Sequence, residues 1–241
     1  MSKKISVLIP MYNEIKTATN TARTLSRYMQ KNFGDDYEIV FFDDGSTDGC
    51  RNEVKKLGLD NVRVEGYLKN KGKGAAVRHG IRCCRGDIIV CTDCDLAYGC
   101  DSILNIYNKI VSGGHHIVIG SRNLSSDGYE GYTALRRIMS KLYIKVVSFI
   151  AGFRYTDSQC GLKAYCAEAA KSVFDKCGVN GFAFDLEVLL LAEKMKFKIA
   201  EIPVKVINHR KNDSKVKPLR DACKMLGEIS SIKKRIKKIK L

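Results

Sequence analysis

The chain has 241 residues, 45% of them hydrophobic, with 42 basic against 26 acidic side chains and a net charge of +16. One α/β domain with a well-buried core fits that length and apolar content. No apolar run reaches the roughly 18 residues that span a bilayer, and the opening MSKKISVLIPMYNE has its apolar run interrupted by Pro10 and Asn13, so no secretory signal is expected and the expected protein is cytoplasmic without a transmembrane helix.

In chain order, short β-branched runs alternate with longer amphipathic ones. Strands are expected at about 5–9 (ISVLI), 37–42 (YEIVFF), 62–66 (VRVEG), 87–92 (DIIVCT) and 116–120 (HIVIG), with helices starting near Glu14, Thr47, Gly74 and Asp101. Runs that are apolar on both faces, such as IVFF and IIVC, suit parallel strands covered by helices on each side. The fold class is therefore α/β, a mostly parallel, doubly wound, Rossmann-like sheet, whose ligands gather at the carboxyl ends of the strands. The first strand delivers Pro10-Met11-Tyr12-Asn13-Glu14 there, the second Asp43-Asp44-Gly45-Ser46 and the fourth Asp93-Cys94-Asp95.

After residue 120 the alternation stops. Residues 131–151 form a helical pattern with Leu135, Ile138, Met139, Leu142, Val146 and Phe149 on one side and Arg136, Arg137, Lys141 and Lys145 on the other. A helix near 183–195 and a strand near 199–207 follow. The last helix, about 217–241, sets Leu226, Ile229, Ile232, Ile236 and Ile239 among lysines, with six cations in residues 233–241. That is the pattern of a helix lying on an anionic membrane surface, although either amphipathic helix could instead pack on the core or on a second copy, and oligomeric state stays open. The expected organisation is a domain over 1–216 followed by a basic amphipathic C-terminal helix over 217–241.

The stretch Cys91-Thr92-Asp93-Cys94-Asp95 offers a soft thiolate site and a hard carboxylate one. A structural zinc site needs four ligands, and no second C-x-x-C or paired histidine accompanies Cys91 and Cys94. With ten cysteines scattered through apolar stretches and no export signal expected, reduced and mostly buried thiols are expected. Strand alternation points Asp93 and Asp95 the same way, about 6–7 Å apart, and Cys94 toward the core. Carboxylates so spaced suit Mg²⁺ or Mn²⁺ shared with a phosphate-bearing substrate; alone, D-x-D also fits a pair of solvated loop aspartates. The stretch from Lys69 to Gly74 matches neither a P-loop nor a dinucleotide fingerprint. Its two glycines and three lysines before a helix can present N–H groups and charge to an anion, or form a solvated turn.

Taken in order, ISVLIPMYNE, EIVFFDDGSTDG, NKGKGAAVRHG, the Asp93/Asp95 pair, IVIGSR and DSQCGLKAY resemble the inverting family 2 glycosyltransferases of the GT-A fold. Within them the chain is similar to the polyprenyl-phosphate branch, which holds dolichyl-phosphate β-glucosyltransferase and dolichol-phosphate mannose synthase. The resemblance covers roughly residues 4–216. It implies nucleotide-sugar contacts from Pro10, Tyr12, Glu14, Asp43, Asp44, the loop residues Lys71, Gly72 and Lys73, and Asp93-Cys94-Asp95, with Mg²⁺ or Mn²⁺ held by Asp93 and Asp95. It further implies catalytic roles for Asp93, Asp95, Arg122, Asp157 and Gln159. Gly161, Asp185 and Glu187 match the glucosyl branch, and His209 or Arg210 is brought near the phosphates by the Ser214-Lys215 element. Arg122, Arg136, Arg137, Arg210 and Lys215 are the expected cradle of an acceptor phosphate. Mannose synthases continue D-A-D-L-Q, whereas Ala97 stands here, so one metal ligand of that pattern is absent.

The implied reaction is transfer of one sugar, glucose from UDP-glucose, to a dolichyl or undecaprenyl phosphate, by an enzyme held peripherally at the cytoplasmic face of an anionic membrane. A phosphomonoester with a second pKa of about 6 is already largely dianionic, so no general base is required. A soluble glycan or protein acceptor would instead need a carboxylate base, for which Asp157 or Asp185 is the candidate. Nucleic-acid binding, suggested by the charge, finds no aromatic residue in the basic tail and no recognised module, so no specific nucleic acid is expected.

Overall fold

In the computed structural model, which describes residues 3–128, 154–207 and 218–239 and the single positions 144, 147, 149 and 152, seven strands form one sheet. Their order is β3-β2-β1-β4-β6-β5-β7, with β1 at Lys3–Met11, β2 at Tyr37–Asp44, β3 at Val62–Tyr67, β4 at Gly86–Cys91, β5 at Ile117–Ser121, β6 at Lys163–Cys166 and β7 at Ile199–Pro203. All pair in parallel except β6, which runs antiparallel between β4 and β5. The mostly parallel α/β sheet expected above is present.

Alternation along each strand divides the core between two faces. Leu8, Val40, Phe42, Ile89 and Cys91 meet α3 (Lys73–Cys83), α5 (Ala167–Lys176) and α6 (Phe184–Lys194). Val7, Ile9, Ile39, Phe41 and Val90 meet α1 (Ala18–Phe33), α2 (Cys50–Lys55) and α4 (Gly99–Gly113). Strand β2 is buried at every position, which is why its apolar run does not alternate with polar residues.

Helix α1 starts four residues after the expected Glu14, because residues 14–17 first turn: Thr17 N and Ala18 N both donate to the Glu14 carbonyl. Two elements were not among those expected, the four-residue β6 and the helix α5 that follows it, whose Ala169, Ala170, Val173 and Phe174 are buried. The strand expected at 199–207 ends at Pro203.

The final helix, α7 (Pro218–Lys238), corrects one expectation. Its stripe Ile229, Ile232 and Ile236 is buried in the core beside α5 and α6, so that apolar face lies on the protein and not in a lipid surface. The side chain of Leu226 lies outside the described residues. Exposed lysines Lys234, Lys237 and Lys238 lie on the outer side. Of the 131–151 segment, positions 144, 147 and 149 are helical, Val147 is buried and Phe149 is 91% exposed; the rest lies outside the described residues. Among the described residues no helix is long and apolar enough to cross a membrane.

Candidate active site

The carboxyl edge of the parallel strands gathers the candidate residues, and β6 explains how the DSQCG segment joins them. Because β6 runs backwards, its beginning lies at the edge where the other strands end, and residues 157–163 arrive beside Asp93. Gly161 is required there: a Cβ on it would overlap the Asp93 carboxylate.

The loops after β1, β2 and β3 are stitched together. Asn13, in the left-handed region at φ 53°, accepts from Thr47 N through its side chain and donates its own N–H to Ser46 Oγ, at 2.9 Å each. Buried Asp43 accepts from Ser46 N, and buried Asp44 accepts from Lys71 N at 2.8 Å, Gly72 N at 3.0 Å and the Asn70 side chain at 2.8 Å. Gly45, at φ 73°, lets the backbone of Lys69 and Asn70 approach where a side chain would collide. Asp44 is thus a fastener of the 70–74 loop. Pro10 and Glu14 are half-buried at this rim and Tyr12 is exposed.

Lys73, the first residue of α3, reaches back across the sheet edge to place Nζ 2.6 Å from Asp93 Oδ1. Burial alone would lower its pKa, but Asp93 and Asp185 hold the ammonium above the usual lysine range, so it is a permanent cation. Asp95 Oδ1 accepts from Ala97 N at 3.1 Å. Cys94 faces the opposite core: its side chain is 2% exposed and its carbonyl is held by Thr21 Oγ1 at 2.6 Å. That removes the Cys94 side chain from the donor contacts expected above. Cys91 belongs to the other core face, and burial pushes its thiol up to about 12, so the two sulfurs cannot share a zinc ion. The described cysteines are free thiols.

Arg122 and Asp157, expected as separate catalytic groups, form one buried bidentate pair. Arg122 Nε meets Asp157 Oδ2 at 2.7 Å and an Arg122 Nη meets Oδ1 at 3.0 Å. Burial would raise the Asp157 carboxyl, yet the guanidinium and backbone donors leave it below its ordinary value. Gln159 is exposed, and its N–H donates to Asp157 Oδ1 at 3.0 Å. The fork of Arg122 toward phosphate is therefore turned inward, onto a carboxylate. Arg136, Arg137, His209, Arg210 and Lys215 lie outside the described residues.

One pair escaped the sequence reading. Lys163 donates to Asp185 Oδ1 and to the Cys160 carbonyl, both at 2.6 Å, and is itself buried. Burial raises Asp185 further than Lys163 and Lys73 offset. These groups, with Asp93, Gly161 and Cys91, line a small pocket beneath the D-x-D segment. A lone lysine between the apolar neighbours Leu162 and Ala164 was the available signal.

Two carboxylates just beyond the end of β4 suit a hard divalent ion, although Lys73 already pairs with one of them and would have to share or yield it. No group of three or more His, Cys, Asp or Glu side chains able to hold a metal occurs among the described residues.

This edge, on this sheet, is that of a glycosyltransferase with a GT-A fold. The family model described as glycosyl transferase family 2 matches residues 6–174, and the chain belongs to that family. It is 31% identical over 243 residues to a dolichyl-phosphate beta-glucosyltransferase of Dictyostelium discoideum, covering 95% of this chain and 73% of that protein. With the Homo sapiens protein of the same name it shares 32% identity over 222 residues, 84% of this chain and 67% of that one. In structure it is similar to glucosyl-3-phosphoglycerate synthase from Mycobacterium tuberculosis in complex with Mn²⁺ and UDP-glucose, with a TM-score of 0.68, 18% identity and coverage of 99% and 80%.

Proposed function

We propose that the protein transfers a single glucose, with inversion, from UDP-glucose to a polyprenyl phosphate at the cytoplasmic face of a membrane. The observation that carries this is Lys73, at the end of the Asp44-fastened loop, reaching Asp93 at the carboxyl edge of the sheet. The names of the relatives support the acceptor class and glucose, and the neighbour bound to UDP-glucose and Mn²⁺ supports the donor and the ion.

Asp93 and Asp95 would hold Mg²⁺ or Mn²⁺, which when bound supplies Lewis-acid neutralisation of the departing diphosphate. Lys71 and Lys73, held in place by the fastened 70–74 loop, add positive charge beside the same leaving group, where they stabilise it most as its negative charge develops. A phosphate oxygen of the acceptor attacks the anomeric carbon from the opposite face, the new C–O bond forming as the bond to the diphosphate breaks. Neither carboxylate that could serve a hydroxyl acceptor is suited to act as a base: Asp157 is occupied by Arg122 and Asp185 by Lys163. That favours an acceptor already ionised. Arg136, Arg137, Arg210 and Lys215 are the cations left to receive it. Exposed Lys234, Lys237 and Lys238 add attraction to an anionic leaflet, each by about 1 kcal/mol near the surface.

Purified protein incubated with UDP-glucose, UDP-GlcNAc or GDP-mannose, each with and without polyprenyl phosphate, should yield glucosylated lipid from UDP-glucose alone. Transfer to a soluble glycan with none to the lipid phosphate would overturn the acceptor assignment.

A further inference from the structure

Helix α3, which carries Lys73 to Asp93, has no side-chain cap at its start. Gly74 N and Ala75 N donate instead to the carbonyl of Asn180, at 2.8 and 3.3 Å, across the molecule from the loop before α6. The fit demands glycines: a Cβ on Gly72 would strike the Asn180 carbonyl, and one on Gly74 the Val179 carbonyl and the Phe184 side chain. Arg78 holds the same loop, donating to the Val179 carbonyl at 3.3 Å and to Asn180 Oδ1 at 2.7 Å. Residues 178–181 are therefore the seat of the 70–74 loop.

The seat itself hangs on Glu187, which is 0% exposed. Its Oε2 accepts from Gly178 N and Val179 N, both at 2.9 Å. Its Oε1 is paired with the guanidinium of Arg235, which comes from α7 and also donates to the Lys176 carbonyl at 3.3 Å. Gly178 leaves the space that guanidinium fills. From the other side Lys194 donates to the Ile236 and Ile239 carbonyls at 2.6 and 2.8 Å, a cation at the carboxyl end of α7. A carboxylate buried this deeply is costly unless such donors satisfy it.

We propose that Arg235 and Glu187 are positioning residues for the donor-phosphate loop, so that nucleotide affinity depends on the C-terminal helix through the chain Arg235, Glu187, Asn180, Gly74. None of the described residues of α7 lines the pocket under Asp93. The proposal rests on the reading of residues 70–74 as the cradle of the donor diphosphate.

The test measures binding of UDP, with GDP in parallel, to the full chain at saturating Mn²⁺, together with amide exchange at Gly74 and Ala75. Arg235→Met should weaken UDP binding about tenfold, a usual size for coupling between sites, and raise exchange at both amides, with Arg235→Lys recovering most of the affinity. Since Arg235→Met strands the Glu187 charge, Glu187→Leu/Arg235→Met provides a second variant free of both charges, and it should lose the same affinity. A Lys71→Ala/Lys73→Ala variant separates the proposal from its premise. Affinity lost in that variant but unchanged, along with amide exchange, in the folded Arg235 variants overturns the relay and leaves the donor reading standing. Affinity unchanged in all of them overturns both.

Discussion

Lys73 Nζ and Asp93 Oδ1 lie 2.6 Å apart, joining the helix after β3 to the end of β4 at the point where a divalent ion is expected. The ammonium and the ion would compete for one carboxylate. Removing the lysine should therefore have opposite effects on two ligands: Lys73→Met should tighten Mn²⁺ binding without nucleotide several-fold, and weaken UDP-glucose binding once Mn²⁺ is saturating. Manganese titration by electron paramagnetic resonance and calorimetry with the sugar nucleotide read the two effects separately. Weaker Mn²⁺ binding in the variant would contradict the competition.

The Arg122–Asp157 pair should act on stability. Its side chains are 13% and 2% exposed, and removing one partner of a buried pair costs about 3–5 kcal/mol, since the other charge stays buried. Urea denaturation of Asp157→Asn should show a loss near that size, with Arg122→Met/Asp157→Leu recovering part of it. The folded Asp157 carboxyl titrates below its unfolded value, so its contribution is present above about pH 4 and disappears as pH falls through the folded pKa. Asp157→Asn should flatten that acid limb of the stability profile.

The C-terminal helix separates packing from charge. Ile232→Ala should cost about 2–5 kcal/mol, because the side chain is buried in the core, whereas Lys234→Glu/Lys237→Glu/Lys238→Glu should leave the melting temperature nearly unchanged and reduce sedimentation with anionic liposomes. Equal destabilisation by both sets would contradict this division.

The buried thiols should be inert, and none of the described cysteines should hold a metal. Burial pushes Cys91 up to about 12 and Cys160 up to about 11, so iodoacetamide at pH 8 should label half-buried Cys83, Cys100 and Cys166 well before Cys91, Cys94 or Cys160 in the folded protein. Mass spectrometry of the labelled peptides gives the order, and elemental analysis should find no stoichiometric zinc.

Much of the sheet could be read from the chain because parallel strands buried on both faces leave continuous apolar runs, as in YEIVFF. Strand alternation suggested the Asp93/Asp95 pair, but β4 ends at Cys91 and residues 93–96 turn, Leu96 N donating to the Asp93 carbonyl; of the expected directions the burial of Cys94 is the one the structure shows. Strand β6 was not: four residues, KAYC, carry no periodicity, and only their pairing between β4 and β5 makes them a strand. Periodicity in α7 identified the apolar face correctly but not what covers it, since Ile229, Ile232 and Ile236 serve a protein core as well as a lipid surface. The pairings of Lys73 with Asp93 and of Arg122 with Asp157 join residues 20 and 35 positions apart, and a pattern within one element cannot report them. For Arg122 the family resemblance suggested a phosphate contact, where the fold supplies a carboxylate.

The most direct measurement is the rate of glucose transfer from UDP-glucose to polyprenyl phosphate by the intact chain and by Asp93→Asn, each across a Mn²⁺ titration and in excess EDTA. The intact protein should form glucosyl lipid only with the ion present, and Asp93→Asn should lose at least a hundredfold in rate, of the order expected when a principal stabiliser of the leaving group is removed. Undiminished transfer in EDTA, or by the variant, would contradict a carboxylate-held ion at the end of β4.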